Sequence, residues 1–189
     1  LAQELLISNL VPKELHSKIT LNFCPTILFK KNFSQSKNRT KSVGFLLAGD
    51  RLPNRHKNLE KFVENISKFK NYLKSRNIQT ILINHQNDAW ISNYIEFDKT
   101  QDLYKKPVED IYNFYSSIDT VIADRGHGQM IPLACGCKVL SPVSHQKLAW
   151  FLNDLELSYF HISENADDLG KSLIKKYEYK IICILFIFG

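Results

Sequence analysis

The chain predicts an α/β fold, an open parallel sheet with helices on both faces. Two observations lead there. Short apolar runs of strand length alternate with longer amphipathic segments along most of the sequence. Such alternation implies right-handed βαβ units and a sheet covered on both sides. Polar and glycine residues also collect directly after the apolar runs, where the loops of a parallel sheet gather on one edge. At 189 residues the chain suggests one main domain, long enough to bury a sizeable core. No internal repeat is visible.

Residues 1–41 read as an entry segment and linker. Leu5, Leu6 and Leu10 suggest an uncapped helical start, and Val11-Pro12 breaks it. An extended stretch from Ile19 to Phe29 contains Cys24-Pro25-Thr26, and the polar run Ser34 to Ser42 cannot bury a face. Beginning at Leu1 rather than Met, the chain reads as a fragment or a processed start.

The main domain is expected over residues 42–178. Val43 to Ala48 forms a buried strand that runs into Gly49-Asp50-Arg51. Asn58 caps a helix whose Leu59, Phe62, Val63, Ile66, Phe69 and Leu73 share one face, and Asn77 ends it. Thr80 to Asn84 is the next strand, and Asp88 to Phe97 a short helix around Trp90. Pro107 precedes a helix from Val108 to Ile118 that carries Ile111, Phe114 and Tyr115. The strand Thr120 to Ala123 and a helix from Gly128 to Ala134 follow. Lys138 to Val143 is a strand, His145 to Leu155 a helix, Tyr159 to Ile162 a last strand, and Ala166 to about Tyr177 a last helix. Residues 179–189 form an apolar tail, far short of the roughly 20 residues that span a bilayer. It reads as a core strand, a helix docking on another domain, or an aberrant end.

The net charge of +6 reflects either a general surface bias or an anionic substrate or membrane surface. The lysines are scattered, with no basic run interleaved with stacking aromatics, which argues against nucleic acid as a partner. Cys24, Cys135, Cys137 and Cys183 lack zinc-ligand spacing and read as reduced structural thiols, consistent with the cytoplasm. No dinucleotide fingerprint, Walker sequence, nucleophile elbow or metal-ligand set is visible.

The segment Asp124-Arg125-Gly126-His127-Gly128-Gln129-Met130-Ile131-Pro132 carries the most chemistry. Arginine offers a planar fork to phosphate or carboxylate, and histidine a proton near neutral pH. Gly126 and Gly128 allow close backbone approach to an anion. Gly49 with Arg51, His85 with Asp88, and Ser144-His145 with Lys147 follow other predicted strands and share the same edge. Each also has a plain structural reading: His85 a loop residue, Asp88 and Ser144 helix caps, His145 a first-turn residue, Arg51 a solvated side chain. Arg125, set between an apolar strand and a glycine, has few such explanations.

At these residues the chain resembles the polysaccharide pyruvyl transferases. The likeness rests on the Asp124 to Pro132 run, Gly136, and Val139-Leu140-Ser141-Pro142-Val143-Ser144-His145-Gln146-Lys147 with Leu148-Ala149-Trp150-Phe151-Leu152. Cys24-Pro25-Thr26, Ala48-Gly49-Asp50-Arg51 and His85-Gln86-Asn87-Asp88 stand in matching order, so it spans roughly residues 20–175. The resemblance implies a Rossmann-like, donor-binding domain like the C-terminal one of a glycosyltransferase-B-like pair, with an N-terminal acceptor domain missing here. It implies transfer of pyruvyl from phosphoenolpyruvate to a sugar, lipid-linked saccharide or polysaccharide acceptor as a cyclic ketal, with release of phosphate, in surface or exopolysaccharide biosynthesis. No cofactor is needed, phosphoenolpyruvate being the donor substrate.

His127, Arg125 and His145 would be catalytic. Arg51, Gly49, His85, Gly126, Gly128, Gln129, Ser144 and Lys147 would bind substrate. The implied location is the cytoplasm, including its membrane-proximal face. Two other readings stand beside this one. A nucleotide-sugar glycosyltransferase of the same fold would want an acid for the ribose after the strand carrying Val139, and Ser144-His145-Gln146 offers none. A non-catalytic binding domain is the other.

Overall fold

The computed structural model describes residues 12–18, 39–49, 56, 58–86, 88–163 and 168–179. The expectations for residues 1–11 and 19–38, for Asp50 and Arg51, for a helix start at Ala166, and for the apolar run Ile181 to Phe188 lie outside these residues.

Six strands make one sheet: β1 (Thr40–Leu46), β2 (Gln79–Asn84), β3 (Lys99–Asp102), β4 (Ile118–Ala123), β5 (Lys138–Val143) and β6 (His161–Ser163). Their spatial order is β3-β2-β1-β4-β5-β6 and every neighbouring pair is parallel. The register centres on β1, where Phe45 lies beside Leu82 of β2 and Ile122 of β4. The chain steps outward from β1 through β2 to β3, then crosses back to build β4, β5 and β6 on the other side. The winding therefore reverses between β1 and β4. The sequence-predicted Rossmann-like α/β class is the observed one.

Among the described residues five α-helices cover the sheet: α1 (Leu59–Ser75), α2 (Val108–Ser117), α3 (Gly126–Ala134), α4 (Gln146–Asp154) and α5 (Leu169–Glu178). The first, α1, starts where the sequence puts it, because the Asn58 side chain accepts the Lys61 N–H at 2.9 Å. It ends at Asn77, whose φ of 54° is the left-handed turn that asparagine tolerates. Phe62, Ile66, Phe69 and Leu73 are buried on one face, as their spacing requires. This helix packs against α5, with the Gly170 N–H donating to Asn65 Oδ1 at 3.0 Å. A Cβ on Gly170 would lie only 3.0 Å from the Asn65 carbonyl oxygen, so glycine sets this approach.

Four elements differ from expectation. Strand β3, Lys-Thr-Gln-Asp, has no apolar run because it is an edge strand with no fully buried residue. The segment around Trp90 closes as a short 3-10 turn, Ala89–Asn93, rather than a helix to Phe97. The last expected strand divides into a 3-10 turn, Ser158–Phe160, and β6. Strand β1 starts at Thr40, inside the expected linker, because its first two residues are exposed and carry no apolar signal.

The core includes Cys135 and Cys137, both free and buried. Burial lifts both thiols to about 12, so neither is a nucleophile in the folded chain. Arg39 donates to the carbonyls of Ile118 and Cys135, tying the start of β1 to β4 and to the α3 C-terminus. Among the described residues no helix is long and apolar enough to cross a membrane.

Candidate functional site

The reversal between β1 and β4 opens the carboxyl edge of the sheet where neighbouring loops diverge, which is where open α/β sheets take ligands. Past Leu46 the two strands remain joined by side chains. The Ala48 N–H donates to Asp124 Oδ1 at 2.7 Å, and the Leu47 carbonyl accepts Trp90 Nε1–H at 3.0 Å. Asp124 is fully buried, and its Oδ2 lies 3.7 Å from Nε2 of the buried His56, whose ring stacks on Phe62 at 3.9 Å. The end of β1 is thus held from the β2 side by Trp90 and from the β4 side by Asp124.

A second carboxylate crosses the same ground. Asp88, with no solvent exposure, follows β2. Its Oδ2 accepts the backbone N–H groups of His85 and Gln86, each at 3.3 Å, and its own N–H donates to Asn84 Oδ1 at 3.1 Å. Its Oδ1 faces Arg125 Nη2 at 3.2 Å. Because β1 lies between β2 and β4, this ion pair bridges the edge in front of β1. Asp88 occupies the cap position expected of it but makes no side-chain cap bond. The carboxylate serves instead to fold the His85 turn and to hold Arg125.

Arg125 therefore has the structural partner that its sequence context hides. Its side chain is also 30% exposed. It is the N-cap residue of α3, and its own side chain makes no cap bond to that terminus, whose first-turn amides lie at the same edge. The helix opens at Gly126, two residues earlier than expected, and a Cβ on Gly126 would meet nothing within 4 Å. Gly128 is different. A Cβ there would stand 2.7 Å from Leu46 Cδ2, so this glycine seats α3 on β1 rather than making room for a ligand.

His85 lies beside this pair. Its Nε2 and the Tyr115 phenol are 2.8 Å apart, and the two rings stack at 6.1 Å. Burial holds the imidazole below its ordinary value near 6.5; Asp88 opposes that and Arg125 adds to it. Tyr115 itself is buried and held well above its usual value by desolvation, so it stays a neutral phenol.

No protein-family model, curated protein or solved structure matches this chain.

The remaining sequence-predicted residues divide by depth. His127 is exposed on the first turn of α3. His145 is exposed too, and it, not Ser144, is the N-cap of α4, its Nδ1 accepting the Lys147 N–H at 3.1 Å. Ser144 is half-buried and Lys147 exposed; they follow β5, one strand beyond β4. Gln129 is wholly buried, donating from Nε2 to Ser141 Oγ at 2.6 Å, and it ties α3 to β5. Gly49 is half-buried just past β1, and Arg51 is outside the described residues.

Contacts therefore unite His85, Asp88 and Arg125. His56, Tyr115 and the role of Asp124 escape sequence reasoning. An acid directly after an apolar run was a usable signal for Asp124, whereas His56 and Tyr115 carry no local mark. Among the described residues no three His, Cys, Asp or Glu side chains converge as metal ligands. The cluster offers a fixed guanidinium, helix-terminal amides and a neutral imidazole, a set suited to a small anion with oxygen acceptors.

Proposed function

We propose that this domain binds the small anionic donor of a phosphoenolpyruvate-dependent pyruvyl transferase at the carboxyl edge of the sheet. One observation carries the reading: Arg125 stands at the β1/β4 reversal, oriented by a buried carboxylate yet partly open to solvent, at the N-cap of α3. The donor's phosphate or carboxylate would pair with the solvent-exposed part of the guanidinium and with the first amides of α3. Gly126 leaves room for that approach.

In the transfer, a proton added to the methylene carbon of phosphoenolpyruvate gives oxocarbenium character at the neighbouring carbon. One sugar hydroxyl attacks there and gives up its proton. A second hydroxyl then displaces phosphate and closes the ketal, its proton leaving with the released phosphate. His127 and His145, both solvent-accessible, are the proposed acid and base, with Lys147 assisting the phosphate. The acceptor is a sugar, a lipid-linked saccharide or a polysaccharide, and the site of action is the cytoplasm or the inner membrane face.

Calorimetry with phosphoenolpyruvate tests the donor site. Binding that is lost in Arg125→Ala supports it; no binding, or binding indifferent to that change, removes it. Phosphate release from phosphoenolpyruvate in the presence of sugar acceptors tests the reaction. Turnover of a nucleotide sugar with phosphoenolpyruvate untouched would favour a glycosyltransferase instead.

A further inference from the structure

The His85–Tyr115 contact fixes more than a ring position. Tyr115 is fully buried, and its phenol must place a proton on an acceptor or leave it stranded in the core. His85 Nε2 is the described acceptor, at 2.8 Å. Were Nε2 to carry the imidazole proton and donate to the phenol oxygen, the phenol's own proton would have no described acceptor. The phenol therefore donates, Nε2 accepts, and the neutral ring carries its proton on Nδ1.

The backbone turn that carries the ring is fixed as well. The His85 backbone N–H is held by Asp88 Oδ2, whose other oxygen faces Arg125. One buried carboxylate thus sets both the guanidinium and the histidine turn.

We propose that His85 is a specificity-determining residue of the anion site, a neutral imidazole locked as the Nδ1–H tautomer by Tyr115 that donates to an oxygen of the ligand bound at Arg125. The proposal rests on the reading of this edge as an anion site. A neutral donor favours a ligand oxygen without adding a second full charge, and it keeps donating as the pH rises through neutrality. Burial supports this role by keeping the ring uncharged at neutral pH; the charged groups around it are Asp88, Arg125 and Asp102.

The test uses the full chain labelled with ¹⁵N in the histidine rings, titrated with inorganic phosphate and with phosphoenolpyruvate. The expected spectrum shows His85 Nδ1 protonated and Nε2 unprotonated, with Tyr115→Phe abolishing that preference while the fold persists. Added anion should shift the Nδ1 resonance. Two variants separate donor from scaffold. In His85→Asn the amide nitrogen replaces Nδ1, and in His85→Gln the amide replaces Nε2. Anion affinity should stay near wild type in the first and fall about ten-fold or more in the second, the loss of one hydrogen bond to a charged ligand.

An Nε2–H tautomer, or a tautomer unmoved by Tyr115→Phe, overturns the proposal. So does equal affinity in the Asn and Gln variants. Anion binding that depends on Arg125 but never reaches His85 overturns the role of His85 and leaves the anion site standing. Absence of any anion binding by calorimetry overturns both.

Discussion

Asp88 and Arg125 make a pair with unequal exposure, and that inequality predicts which partner is costlier to remove. Asp88 has no exposure, while Arg125 keeps 30% of its side chain in solvent. Arg125→Met leaves a carboxylate in the interior with two long backbone contacts at 3.3 Å. Stranding one member of a buried pair costs about 3 kcal/mol at the low end of the usual range. Asp88→Asn retains an oxygen for those backbone donors and leaves a guanidinium that water can reach. Its cost should be about 1 kcal/mol. The double variant removes both charges and should cost about 2 kcal/mol, less than the two single losses together. Urea unfolding of the four proteins measures this cycle. In thermal terms, Arg125→Met should lower Tm by roughly 6–12 °C. If Asp88→Asn proves the more damaging, or the two losses simply add, the bridge across β1 does not hold the edge as described.

Three further expectations follow from other contacts. Gly44→Ala in the centre of β1 would put a Cβ 2.5 Å from Ile83 Cδ1 and 3.2 Å from Ile118 Cδ1, so overpacking should cost about 1–3 kcal/mol, read as a lower urea midpoint with an unchanged slope. The His85 imidazole, held below 6.5 by burial, binds protons less readily folded than unfolded. Its contribution is therefore complete above pH 6.5 and is lost as the pH falls below it, and His85→Asn should flatten that part of the stability profile. Cys135 and Cys137, lifted to about 12, should resist iodoacetamide in the native chain and react once it is unfolded in urea, as peptide mapping would show; native labelling of either would contradict their burial.

Much of the fold was legible because its signals are local. The apolar runs of β1, β4 and β5 are buried on both sides, so composition alone marks them. The face and start of α1 follow from helical spacing and from one asparagine three residues ahead of its bonding partner. Edge strand β3 was invisible for the converse reason, since it buries nothing that a sequence pattern can register. The site was legible only as residue types gathered on one edge. Arg125 stood out as an arginine with few structural explanations; the fold supplies one in Asp88, which sits at the cap position read for it and also pairs with Arg125 across β1. Gln129 and Gly128 shared the same conspicuous segment, yet both face the protein interior.

Local patterns in the chain suffice for the class of sheet, for the helices that follow β1, β4, β5 and β6, and for the edge on which the polar residues collect. Strand order was decided by tertiary structure, and with it the contacts across the edge: Asp88 to Arg125, His85 to Tyr115 thirty positions away, and Asp124 to the Ala48 amide seventy-six away. Periodicity and capping act within a turn or two of chain, so they are written in neighbouring residues. An ion pair that spans a strand exists only after the sheet has set β2 and β4 on either side of β1, and no local pattern can carry it.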